Sequence, residues 1–89
     1  MKNNLTGVVD KIKLLSSFPD MLVRFTILTN NETINCITSD RKIGNQLLFL
    51  EDGRSQVAIF GHYNSRKQLV VEKLALRNPT SFERKFAVV

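Results

Sequence analysis

His62, Tyr63, Arg66 and Lys67 fall within six consecutive positions of VAIFGHYNSRKQLVVEKL (Val57 to Leu74), at a polar junction between two apolar runs. An aromatic ring beside two cations on one short loop suits the grip of a polyanion that also carries flat rings. One base stacked on one aromatic side chain contributes about 1–3 kcal/mol, while cations along the path neutralise phosphates. Elsewhere, Phe18 stands in SSFPD, Arg24 interrupts the apolar alternation of MLVRFTILT, and Asn35 lies in ETINCITS. An arginine among apolar residues on a central strand must reach solvent, a carboxylate or a ligand. Phe60, Lys73 and Arg77 complete the set as supporting candidates. Lys11 and Lys13 share one strand face but have Asp10 beside them, which weakens their claim.

Catalytic chemistry has little to work with. The chain has one histidine and one cysteine, far apart in sequence, and carries no HExxH helix, no phosphate-binding glycine loop ending in Gly-Lys-Ser/Thr and no cysteine pair for zinc. Cys36 lies in an apolar run and reads as a small buried hydrophobe rather than a nucleophile. Asp40 reads as a helix cap and Asp52-Gly53 as a turn, each better than as a metal ligand. The expectation is a binding protein without catalytic residues, metal or cofactor.

Charge points the same way. The 89 residues carry a formal net charge of +5, with 43% hydrophobic and 24% charged residues, a globular composition. Residues 1–53 are neutral, with six basic and six acidic residues, whereas residues 54–89 hold seven basic residues against Glu72 and Glu83. An excess confined to one part of the chain favours a polyanionic partner. The start, MKNNLTGVV, lacks the apolar core of a signal peptide, and no apolar run approaches a membrane span, so a cytoplasmic location is expected.

The elements that must position these residues can be read from periodicity. Leu5–Leu15 is a β-branched-rich strand in which Gly7 and Val9 share one face, with a disturbed phase around Val8-Val9-Asp10 that predicts a bulge. After the Ser16–Asp20 turn, Met21, Val23, Phe25 and Ile27 alternate with Leu22, Arg24, Thr26 and Leu28. An Asn30-Asn31 turn, allowed by asparagine's tolerance of positive φ, leads to a third strand with Ile34 and Cys36 on one side. Ile43, Leu47 and Leu50 form a helical stripe capped by Ser39 or Asp40, with Gly44 weakening the helix by about 1 kcal/mol; a strand over QLLFL is the rival. Ser55–Tyr63 and Gln68–Asn78 are the last strands, the latter losing its phase near Lys73. Five short antiparallel strands with a helix between the third and fourth match the five-stranded, partly open Greek-key barrel called the OB-fold. The predicted domain is 1–78, followed by a tail at 79–89.

The chain also resembles known sequences. LTGVVDKI is similar to the opening strand of OB domains, FLEDGRSQVAIFG to the stretch entering their fourth strand, and QLVVEKLAL to their closing strand. The resemblance is to small OB-fold nucleic-acid-binding proteins, including bacterial single-stranded-DNA-binding and replication accessory proteins, and covers residues 5–78. It implies a protein that binds single-stranded DNA, or RNA, without strong sequence preference, as a replication or plasmid or phage accessory. Unlike the common bacterial type, this chain has no tryptophan, ends in ERKFAVV rather than an acidic tail, and has a short loop between strands four and five.

OB barrels usually bind across strands two and three, flanked by the loops joining strands one to two and four to five. That geometry assigns Phe18 to the first loop, Arg24 and Asn35 to the face, and His62, Tyr63, Arg66 and Lys67 to the last loop. Each has a plainer role open to it: Phe18 as a cap on the barrel mouth, Phe60 as packing against the helix or tail, His62 as a partner of nearby backbone, Arg66-Lys67 as a solvated turn. The tail residues Phe82, Phe86, Val88 and Val89 offer a surface for a homodimer or partner protein, so a protein-docking or structural module is the alternative function.

Overall fold

The computed structural model describes residues 2–77, so Asn78 and the tail with Phe82, Phe86, Val88 and Val89 lie outside the described residues. The order is β1 (Lys2–Ser16), β2 (Leu22–Leu28), β3 (Thr33–Thr38), α1 (Arg41–Leu48), β4 (Gln56–Tyr63) and β5 (Leu69–Leu76). The strands close into a barrel in the order β1-β2-β3-β5-β4, with the short helix between β3 and β4, which is the OB-fold.

One expectation needs correcting. The strands are not all antiparallel: β3 and β5 pair in parallel, through Cys36 with Leu69 and Ile37 with Val70. A closed ring of five strands cannot alternate direction all the way round, so one neighbouring pair must run the same way. That seam is short, and the Thr38 hydroxyl extends it by donating to the Val71 carbonyl at 3.3 Å.

β1 is long because it serves two neighbours. Residues Lys2 to Val8 pair with β4, and Val8 to Ser16 pair with β2. The strand turns the barrel corner at Gly7, where a Cβ would lie 2.5 Å from the Leu28 carbonyl oxygen and 2.6 Å from Ile27 Cγ2. The bulge lies further along than the sequence phase implies, between Asp10 and Lys13. Val8 and Val9 keep regular alternation, and it is Lys11, at φ 52°, that breaks the pleat.

One face of each strand is the core. Val9, Val23, Phe25, Ile27, Cys36, Val57 and Leu69 are fully buried. Burial pushes the Cys36 thiol up to about 12, which leaves it an inert apolar filler. The helix is capped by Asp40, whose carboxylate accepts the amides of Lys42 at 2.8 Å and Ile43 at 3.2 Å, an arrangement worth about 1 kcal/mol. Ile43 and Leu47 are buried beneath it. Gly44 is there for contact: a Cβ would lie 2.8 Å from Met21 Sδ and 3.2 Å from Val23 Cγ2, so the helix rests directly on β2.

The β2–β3 turn also departs from expectation. Positive φ among the described non-glycine residues occurs at Lys11 and Lys67, not at Asn30 or Asn31. The Thr29 hydroxyl closes the turn instead, accepting the amides of Asn31 at 3.3 Å and Glu32 at 3.1 Å.

Candidate nucleic-acid interface

Arg24 and Asn35 meet on the outer surface of β2 and β3, as the alternation requires. They line an open groove of about 570 Å³ together with Lys11, Ile12, Lys13, Thr26 and Thr33. Lys13 is the register partner of Arg24, and Asn35 that of Thr26. Among the described residues the floor thus has three cations and no lining carboxylate. Among the described residues, none of the three is in an ion pair. Lys11 and Lys13, weakly favoured in sequence because of Asp10, are therefore central to the groove. The signal was the apolar Ile12 between two lysines just after the phase break.

The bulge that brings Lys11 here is held from outside the strand. The Ile12 amide donates to Asp52 Oδ1 at 3.0 Å, and the Thr26 hydroxyl donates to the Asp10 carbonyl at 3.1 Å. The loop carrying Asp52 is tied down nearby, with the Gly53 amide on the Val9 carbonyl at 2.8 Å and the Val9 amide on the Ser55 carbonyl at 2.9 Å. Sequence reading took Asp52 only as part of a turn.

Neither flanking loop contributes a residue to the lining of this groove. Phe18 is 86% exposed at the end of the β1–β2 ladder, just beyond the Ser16–Leu22 pair. Its loop is pinned by the Ser16 hydroxyl, which donates to the Asp20 carbonyl at 3.0 Å, and by Arg41, whose Nη2 donates to the Ser17 carbonyl at 3.3 Å. The ring is displayed rather than used to cap the core. At the other loop, Tyr63 is 44% exposed and pairs with Leu69, the residue that meets Cys36 on β3. The tip is built by Asn64, whose Oδ1 accepts the amides of Arg66 at 2.9 Å and Gln68 at 3.0 Å. Arg66 and Lys67 are exposed on it, and Lys67 is held at φ 61°.

Phe60, His62 and Lys73 lie elsewhere, on the outer face made by the first half of β1 with β4 and β5. Phe60 is half-buried, with Lys2 Nζ and Lys73 Nζ each 5.8 Å from its ring centroid. It packs neither on the helix nor on the core. His62 finds a carboxylate instead of backbone: its Nδ1 lies 2.8 Å from Glu72 Oε2, and Lys2 Nζ donates to the same carboxylate at 2.6 and 2.7 Å. Because an ionised carboxylate only accepts, the imidazole Nδ1–H is the donor. The hydrogen bonds from Lys2 and His62 hold the Glu72 carboxyl below its ordinary range. Glu72 reaches them because it is the extra residue of a bulge, Phe60 pairing with Lys73 and Gly61 with Val71. Arg77 is exposed just past β5, its amide on the Gln56 carbonyl at 2.8 Å. Sequence reading missed Lys2 and Glu72, although the phase break near Lys73 marks this bulge.

No protein-family model matches the chain, and no curated protein matches it in sequence. Among solved structures it is similar to a chain in the crystal structure of yeast Stn1 and Ten1, with a TM-score of 0.69 and 17% identity. The match covers 98% of this chain and 48% of that one, so this chain spans about half its neighbour's length. A likeness at that identity speaks to the barrel.

Proposed function

We propose that this barrel binds single-stranded nucleic acid, DNA in the first instance, without strong sequence preference. The observation that carries the reading is the groove in which Lys11, Lys13 and Arg24 converge with no carboxylate partner among the described residues, and the exposed ring of Phe18 and the cationic tip at Arg66 and Lys67 are taken as its flanks. Three unneutralised cations on an open surface attract a chain of phosphates, and the exposed rings offer stacking to unpaired bases. A duplex, whose bases are already stacked, gains only the first of these. The neutral polar side chains of the groove are only Asn35, Thr26 and Thr33, and long flexible lysines favour phosphates of any sequence, which supports binding of many sequences alike. The chain works by binding and not by catalysis, as a cytoplasmic accessory of replication.

The test is a fluorescence-anisotropy titration of labelled oligo-dT, with a duplex control, at two salt concentrations. If Lys11, Lys13, Arg24, Arg66 and Lys67 each neutralise one phosphate, log affinity falls against log salt with a slope of about −3 to −4. Absence of binding at low salt would overturn the reading. Docking of a partner protein would then take its place, favoured by Phe49, 88% exposed at the end of α1, beside the half-exposed Leu48.

A further inference from the structure

The outer face of β1, β4 and β5 has a ring, a recess and cations of its own. Ala58 and Ala75 are register partners two positions along from Phe60 and Lys73, and so on the same face. Two small side chains abreast leave a shallow depression of about 350 Å³ beside the Phe60 ring, lined also by Asn4 and Lys73. Lys73 and Ala75 are exposed on β5 and Arg77 is exposed just past its end, its amide still on the Gln56 carbonyl, which spaces the two cations by about 13 Å if the usual rise continues. Neither is in an ion pair among the described residues. Among the described residues the acid of this face is Glu72, which is turned toward Lys2 and His62.

We propose that this face is a second contact for the same single strand, an inference that rests on the reading above. A strand lying in the β1-β2-β3 groove meets the β4–β5 tip at its β3 side, because Tyr63 pairs with Leu69 and Leu69 with Cys36. Arg66 and Lys67 mark the turn, and the outward side chains of β4 and β5 begin directly behind them. Past the tip, one base lies in the alanine recess against Phe60, and the phosphates on either side are met by Lys73 and Arg77. Lys2 and Lys73 lie over the ring in the free protein, so a stacking base takes their place on its face and frees Lys73 for a phosphate. The strand occluded is therefore longer than the groove alone accommodates.

Affinity as a function of strand length separates the two claims. The full chain is titrated with oligo-dT of about 6 nucleotides, enough for the groove, and of about 16, the upper end for one such barrel. Phe60→Leu removes the flat face and keeps the apolar bulk, and Lys73→Gln removes the charge at a surface position. The expected result is that each variant binds the short strand like the wild type and the long strand about tenfold more weakly than the wild type does. Retained short-strand binding also reports that the variant is folded. Variants that match the wild type at both lengths, or lose the two alike, would overturn the second contact and leave the groove standing. A wild type that binds neither length overturns both.

Discussion

The Asp52 carboxylate accepts the backbone amide of Ile12 at 3.0 Å, forty residues away in sequence, and by doing so holds the β1 bulge that carries Lys11 into the groove. A non-glycine residue in the left-handed region costs about 1–2 kcal/mol, and Lys11 sits there at φ 52°. This contact offsets part of that cost. Simple electrostatics predicts that removing the negative charge of Asp52 tightens a polyanion. Positioning predicts the reverse for a substitution that also removes the acceptor. Asp52→Ala is expected to weaken oligo-dT binding about threefold to tenfold and to make the salt slope shallower by ~0.7, the share of one phosphate. Asp52→Asn keeps an acceptor oxygen and loses the charge, and should bind as tightly as the wild type or more tightly. If Asp52→Ala binds more tightly, the bulge has no part in recognition.

Lys67 allows charge and backbone to be separated. Its φ of 61° is one that glycine adopts freely, so Lys67→Gly removes a cation without straining the tip. The variant should melt at the wild-type temperature or slightly above it. Its salt slope should be shallower by ~0.7, and the double change Arg66→Ala, Lys67→Gly by ~1.4, for strands of any sequence. Unchanged slopes in anisotropy titrations would remove the tip from the interface.

Phe18 is so exposed, at 86%, that its removal should not disturb the fold. Phe18→Ala is therefore expected to leave thermal stability unchanged. It should cost about 1–3 kcal/mol of binding free energy with the salt slope intact, because stacking releases no counterions. Tyr63→Ala should behave similarly, with a smaller loss because its ring is half covered. A drop in melting temperature without a change in affinity would make either ring a packing residue.

What the sequence made legible is local. Alternation puts Met21, Val23, Phe25 and Ile27 on one face of their strand, and that face is the buried one, because one buried face imposes a period of two on each strand. Asp40 was readable as a cap because its partners are two and three residues on. The phase break near Lys73 marks a bulge for the same reason. Relationships that depend on closure were not readable. The parallel β3–β5 seam follows from ring parity, not from either strand's residues. The division of the candidates between two faces arises because β1 carries β2 on one half and β4 on the other. Arg24 and Phe60 therefore belong to different surfaces despite similar surroundings in sequence. Gly61 illustrates the same limit: it looks like an ordinary strand glycine until β5 is in place, where a Cβ would run into the Val70 carbonyl.

Glu72 provides a prediction whose sign is set by linkage. Its carboxyl is held below the ordinary value near 4.5, first by the hydrogen bond from Lys2 and then by that from His62. A carboxyl with a depressed folded-state value stabilises the native state fully above the unfolded value and loses that contribution as pH falls through the folded one. Wild type should therefore melt above Glu72→Gln at neutral pH, with the gap closing in the window below about 4.5. Because the side chain is solvent-facing, high salt should narrow the gap as well. Binding should move the other way, since Glu72→Gln releases Lys2 and removes a negative charge from the Phe60 face. The variant is expected to bind long oligo-dT more tightly than wild type while binding the short strand equally. Thermal melts from pH 7 downward, paired with titrations at both lengths, check the two halves together. A melting gap that persists at acid pH would mean that Glu72 acts through packing instead of charge.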